Sequence, residues 1–271
     1  MTMSLVIELE RGGRKAGHVC DASYRRGRNC PLILRQTSED LITANVFGIL
    51  RRMPPALWLR PLLNQAFRTK RFRTCSLTGL EVAFWQPVAP PAARANREGY
   101  SEADVLIRAR DFVLFIEAKY RAQLATRTTE DESRDQVIRL LDVAFEMAKA
   151  GQMFTRAPYV LVLGATPTEP ELVTRYRSAT AVDEALATRH RYPDHRAIAE
   201  LLCQRLGYAS WQDLAAIIEA HLESASQTER ALLGDVVEYI KLKMATVHMT
   251  SEARRQMLLD LEADEPPRNE G

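Results

Sequence analysis

Asp104, Glu117 and Lys119 are the residues of this chain whose types and spacing point most directly to chemistry. They lie in the stretch SEADVLIRARDFVLFIEAKY, Ser101 to Tyr120, where the apolar runs Val105 to Ile107 and Phe112 to Ile116 flank a short charged connection, Arg108-Ala109-Arg110-Asp111. That pattern predicts two adjacent strands joined by a tight hairpin. Asp104 stands at the start of the first strand. Glu117 and Lys119 are two apart at the end of the second, so they project from one side of the sheet while Leu114, Ile116 and Ala118 project from the other. Two carboxylates brought together near a sheet end repel each other and either take up a proton or hold a divalent cation, and oxygen ligands suit magnesium or manganese. A lysine beside them can neutralise charge on a phosphate or position a water, which is what hydrolysis of a phosphodiester needs. The plainer reading is a solvated strand end with a salt bridge, since an acid two residues before a lysine is common on exposed strands. The apolar residues around Glu117 weigh against it.

The neighbouring elements must position these groups. Thr37-Ser38-Glu39-Asp40 opens a helical pattern with Thr37 as N-cap and acids in the first turn, where the helix dipole favours them. Ile42, Val46, Ile49, Leu50 and Met53 share one face, and Pro54-Pro55 ends the helix. Glu39, three residues before Ile42, falls on the core-facing stripe, either as a third carboxylate or simply complementing the helix terminus. Residues 56 to 68 have helical spacing with Leu57, Trp58, Leu62, Leu63 and Phe67 as core candidates. The basic run Arg68, Lys70, Arg71 and Arg73 around Phe72 is the best candidate for phosphate contacts. Cys75 to Val88 reads as a strand with a turn or bulge at Gly79, and residues 87 to 99 as a loop without regular structure. After Lys119, a capping box at Thr129 to Glu132 is expected to start a helix. Val137, Leu140, Leu141, Ala144 and Ala148 form its apolar face, with Gln136 at the edge and Arg139 three residues on, both able to reach a phosphate or, for Gln136, simply to lie on the surface. Tyr159 to Leu163 is a continuously apolar strand, expected to be buried on both faces and parallel to a neighbour.

The order helix, strand, strand, strand, helix, strand, with Asp104, twelve residues, Glu117, one residue, Lys119, resembles the PD-(D/E)XK nuclease superfamily over residues 37 to 165. Ala103 stands where proline is usual, and SEDLITANVFGIL is similar to the first helix of restriction-endonuclease-like members. The resemblance implies an α/β, restriction-endonuclease-like αβββαβ core with a mixed central sheet, followed by a C-terminal all-helical region. It also implies a Mg2+-dependent (or Mn2+-dependent) endonuclease whose metal is held by Asp104, Glu117, the Ala118 carbonyl and Glu39, with Lys119 positioning the attacking water. Gln136 would bind nucleic acid or orient the site. DNA is implied over RNA as substrate, and restriction or defence against foreign DNA as the setting. The rival is an inactive member of the fold that binds nucleic acid or protein through its helical half.

That half divides as a helical region, 166 to 262, and a tail, 263 to 271, expected to be disordered. Helices are expected over 170 to 189, His195 to Leu206 with Gly207 as C-cap, Trp211 to Leu222 capped by Ser210, Thr228 to Met249, and Ser251 to about Glu262. A homodimer or partner-protein contact there is one use for them, and a helix-turn-helix over 195 to 222 a weaker one, because its second helix is not basic. His190 and His195 read as surface or loop residues. Residues 1 to 36 form a basic extension, with a candidate strand at 3 to 8 and Arg25, Arg26 and Arg28 around Gly27, either as contacts to backbone phosphates or as part of a loop or disordered segment. Residues 1 to 80 carry fourteen Lys and Arg against five Asp and Glu, although the whole chain is only +2, which suggests a polyanion-facing surface. Cys20, Cys30, Cys75 and Cys203 are too few and scattered for a disulfide framework, and His18, Cys20 and Cys30 lack the paired spacing of a zinc site. No apolar run is long enough to cross a membrane and no signal core is evident, so a cytoplasmic location is expected.

Overall fold

The two apolar runs that bracket Arg108 to Asp111 do form adjacent antiparallel strands, and they lie at the centre of a five-stranded mixed sheet. The computed structural model describes residues 39–89, 100–120, 122–126, 134–150, 157–187, 195–247 and 253. In chain order these give α1 (Glu39–Leu50), α2 (Leu59–Ala66), β1 (Glu81–Val88), β2 (Ser101–Arg108), β3 (Phe112–Ala118), α3 (Gln136–Ala150), β4 (Ala157–Gly164), α4 (Glu171–Arg175), α5 (Ala179–Ala187), α6 (His195–Leu202), β5 (Leu206–Ser210), α7 (Trp211–His221) and α8 (Gln227–Thr246). The strands run β1-β2-β3-β4-β5, with β1, β2 and β3 antiparallel in succession and β3, β4 and β5 parallel. The protein is therefore α/β with a mixed sheet. Among the described residues no helix is long and apolar enough to cross a membrane.

The alternation read from sequence divides the sheet into two faces. Leu114, Ile116 and Ala118 join Tyr159, Leu161 and Leu163 in the larger core, covered by α1, α2, α7 and α8. Val113 and Phe115 join Val160 and Val162 in a second core, covered by α3, α5 and α6. β4 is buried along nearly its whole length, as its unbroken apolar run requires of a strand with parallel neighbours on both sides. α1 lies deeper than a one-sided stripe predicts: every residue from Leu41 to Leu50 is buried, because α8 packs over the side turned away from the sheet. Buried Asn45 finds a partner there, its Nδ2 donating to the Tyr239 hydroxyl at 3.0 Å.

Several boundaries differ from the sequence reading. The strand expected from Cys75 begins at Glu81, after a turn at Gly79 with φ +66, and it runs through Pro87 to Val88. Pro87 is tolerated because β1 is an edge strand with one unpaired side. The segment 170 to 189 forms two short helices, α4 and α5. The helix expected to run from His195 to Leu206 stops at Leu202, and Leu206 to Ser210 is instead β5, paired in parallel with Val160 to Gly164. Gly207 is consequently not a C-cap. It sits inside the strand because a Cβ there would come within 2.9 Å of the Phe67 ring. The helix-turn-helix reading falls with it, since β5 occupies the place of the turn. Ser210 does cap α7, in a capping box with Asp213, and a second box, Ser226 with Glu229, starts α8. The expectations for residues 1 to 38, including Thr37, for Thr129 to Glu132, for His190, for most of the 87–99 loop, and for 251 to 271 apart from Ala253, lie outside the described residues.

The two glycines Gly207 and Gly234 separate close packing from helix propensity. Gly207→Ala is expected to lower stability by about 1–3 kcal/mol, through overpacking against a ring already held by Phe72 and Tyr159. Gly234→Ala, inside α8 with open space around it, should raise stability by up to about 1 kcal/mol. Urea denaturation of both variants measures the two; a stabilised Gly207→Ala would contradict the packing.

Candidate active site

Asp104, Glu117, Lys119 and Glu39 meet at the C-terminal end of β3. Val105 pairs with Ile116 across the hairpin, so Asp104 and Glu117 occupy the next positions outward on neighbouring strands. The Asp104 carboxylate closes the ladder there, its Oδ2 accepting from the Ala118 backbone N–H at 2.8 Å. Glu117 is almost fully buried, at 3% exposure. Its Oε1 lies 2.7 Å from the Lys119 ammonium and accepts from Gln136 Nε2 at 2.5 Å. Lys119 Nζ also reaches Glu39 Oε2 at 3.2 Å, and Glu39 Oε1 accepts from the Ala122 N–H at 3.3 Å. Two carboxylates from separate segments, α1 and β3, thus share one ammonium. Burial alone would lower the Lys119 pKa, but Glu117 first, then Glu39 and Asp104, hold it above the ordinary lysine value.

The Lys119 backbone is fixed as tightly as its side chain. Its N–H donates to the Leu163 carbonyl at 2.7 Å and its carbonyl accepts from the indole Nε1 of Trp211 at 3.0 Å. The next residue, Tyr120, donates its hydroxyl to the Lys243 carbonyl of α8 at 2.8 Å. Opposite Asp104, Trp85 of β1 has φ +47, a left-handed conformation unusual for a bulky residue. Its indole joins Phe84 in the larger core, so it leaves the side of the sheet on which Asp104 projects. Nothing in the spacing of Trp85 or Trp211 announced these roles; Trp211 carried only the Ser210 cap before it, a signal for the helix and not for the contact.

The other candidates divide. Gln136 faces inward: besides its bond to Glu117, its Oε1 accepts from the Ala125 N–H at 3.3 Å, so both ends of the amide are used within the protein. α3 itself is capped by Asp135, whose Oδ1 accepts from the Ile138 N–H at 2.9 Å. Arg139 lies half-buried on the same helix. Arg68 is exposed and paired with Glu169 at 3.0 Å. Lys70, Arg71 and Arg73 stand apart from the acids, because Phe72 between them packs on Phe112 and Tyr159, the starting ends of β3 and β4. From Phe112 to Ala118 is roughly 20 Å along an extended strand. A cavity of about 950 Å³ opens beside Lys119 beyond the C-terminal ends of β3 and β4, with Gly164, Thr166, Glu169 and Tyr208 among its lining residues.

The donors present are carboxylate and carbonyl oxygens, the chemistry a magnesium or manganese ion takes. Among the described residues, however, no group of three acids, histidines or cysteines is assembled closely enough to hold a metal, since Lys119 stands between Glu117 and Glu39. The fit is therefore to the pair Asp104 and Glu117 with the Ala118 carbonyl, and Glu39 serves Lys119. Comparison with family models, with curated proteins and with solved structures gives no match.

The Lys119–Glu117 contact has a measurable coupling. Lys119→Met takes the cation away from a buried carboxylate, and a loss of about 3 kcal/mol is expected in chemical denaturation. The double variant Glu117→Gln/Lys119→Met should recover part of it, giving a coupling energy of about 0.5–3 kcal/mol; strictly additive losses would contradict the pairing. Because the Lys119 pKa is raised, the stabilisation is complete below the unfolded lysine value near 10.5 and is lost as pH climbs through the higher folded value.

Proposed function

We propose that the chain is a divalent-metal-dependent nuclease of the PD-(D/E)XK type, with a restriction-endonuclease-like core, acting on DNA. The observation that carries this reading is the pairing of Glu39 and Glu117 with Lys119, with Asp104 on the adjoining Ala118 N–H, where Lys119 itself lines a cavity beyond the ends of the parallel strands, a place where ligands of α/β sheets commonly bind. Asp104, Glu117 and the Ala118 carbonyl would hold the ion, which when bound polarises the scissile phosphate and its attacking water. Gln136 orients the Glu117 carboxylate. Lys119, fully protonated at neutral pH, orients the water and stabilises negative charge on the phosphorane-like transition state, while Glu39 and the Ala122 N–H fix the reach of that ammonium. Restriction or defence against foreign DNA is the setting the family resemblance implies.

One observation favours a second reading, a nucleic-acid- or protein-binding module on an inactive nuclease fold: Lys119 already serves as the cation between two of the acids. The two readings part in a single assay. Linear, supercoiled and single-stranded DNA, with structured and unstructured RNA alongside, are incubated with the full chain in Mg2+ or Mn2+. Cleavage of DNA is expected, reduced at least 100-fold in Lys119→Ala or Asp104→Asn, on the order of a lost electrostatic catalytic group, and abolished by EDTA. Cleavage that persists in EDTA or in Lys119→Ala would refute the site, and absence of any cleavage would favour the binding module.

A further inference from the structure

The basic run gathers at the end of the sheet away from Lys119, and it gathers more than its own residues. Phe72 fastens the run to the start of β3 and β4, its ring centroid 5.8 Å from that of Phe112 and 5.0 Å from that of Tyr159. Lys70, Arg71 and Arg73 are left exposed around it. Arg205, far along the chain, lies with its guanidinium 4.5 Å from the Tyr159 ring centroid and donates to the Tyr159 hydroxyl. It stands near enough to Arg71 for the two charges to repel. Arg110 projects from the tip of the β2–β3 hairpin, which leads directly into Phe112. Among the described residues none of Lys70, Arg71, Arg73 and Arg110 forms an ion pair, and the adjacent acid, Asp111, is turned onto the Ser76 N–H at 2.9 Å.

We propose that this end of the sheet, Lys70, Arg71, Arg73, Arg110 and Arg205, is a docking surface for the sugar-phosphate backbone of a nucleic acid, separate from the acid cluster. The cations come from three places in the sequence, so their proximity is a product of the fold and not of a single charged tail. Bringing like charges together is unfavourable, and a polyanion relieves it while releasing condensed counterions. Tyr159 holds the Arg205 guanidinium in place through its ring and hydroxyl, which limits the ordering cost of a phosphate contact. At roughly 20 Å from Lys119, a strand bound here needs no contact with the acids, so the surface stands whether or not the chain cleaves its ligand.

Fluorescence anisotropy of the full chain with labelled oligonucleotides of about 20 nucleotides, in EDTA so that no cleavage intervenes, tests it. Duplex DNA, single-stranded DNA and RNA form parallel arms that identify which backbone is taken. The variant Lys70→Ser/Arg71→Ser/Arg73→Ser is compared with Arg196→Ser/Arg230→Ser/Lys241→Ser, which removes the same charge from exposed helix positions elsewhere. Binding weakened at least 10-fold in the first variant, with a salt dependence shallower by about 2–3, and a change under 2-fold in the second, is expected. Arg110→Glu, at an exposed hairpin tip where folding is not at stake, should weaken binding several-fold. Absence of wild-type binding to all three nucleic acids, an equal loss in both triple variants, or an unchanged salt slope would overturn the proposal. These measurements are made without metal, so they stand or fall independently of the nuclease assay.

Discussion

The Lys119 ammonium, shared by the carboxylates of Glu117 and Glu39, is the interaction on which the rest of this arrangement depends. Asp104 and Glu117 lie side by side on neighbouring strands, and Glu117 is buried. Without a cation between them and Glu39, the acids would repel one another in a medium that screens poorly. With it, α1, the β2–β3 hairpin and the segment after β3 are tied at one point. Asp104 is held on the Ala118 N–H, and the two acids that share the ammonium have further holds, Glu117 on Gln136 and Glu39 on the Ala122 N–H. Such cross-bracing fixes carboxylate positions, which a site meant to bind a cation or a phosphate requires.

The C-terminal half takes part in that bracing. β5 completes the parallel side of the sheet, Trp211 at the first turn of α7 holds the Lys119 carbonyl, and α8 receives the Tyr120 hydroxyl. The backbone of Ala118 and Lys119 is thus gripped by β2, β4 and α7, and the Tyr120 side chain by α8. Positive charge is distributed differently: the ammonium at the C-terminal end of β3 is neutralised internally, whereas the arginines at the opposite end face outward without acid partners among the described residues.

Much of this was legible in the sequence wherever a local rule decides the outcome. The period-two alternation of Phe112 to Ala118 assigned each side chain to its face, and the unbroken apolar run of Tyr159 to Leu163 announced a parallel, doubly covered strand. The Ser210 cap fixed the start of α7. What was not legible depends on distant partners. Gly207 has the same appearance at a helix end as in a strand, and only the Phe67 ring, from a segment 140 residues away, decides between them. Gln136 has the pattern of a surface residue, and its inward turn is visible only once α3 is laid beside the end of β3. Lys70 to Arg73 read as a candidate for phosphate contacts, but which end of the sheet they occupy is decided by Phe72, packed on Phe112 and Tyr159.

Manganese uptake asks whether the two neighbouring acids accept a second cation beside Lys119. The full chain is titrated with Mn2+ and the free ion followed by electron paramagnetic resonance, for the wild type, for Asp104→Asn and for Gln136→Ala. Uptake is expected in the wild type, lost or weakened at least 10-fold in Asp104→Asn, and weakened by about 10-fold in Gln136→Ala through the support Gln136 gives Glu117. No uptake at millimolar ion, or uptake indifferent to Asp104→Asn, would contradict a metal site at these two acids.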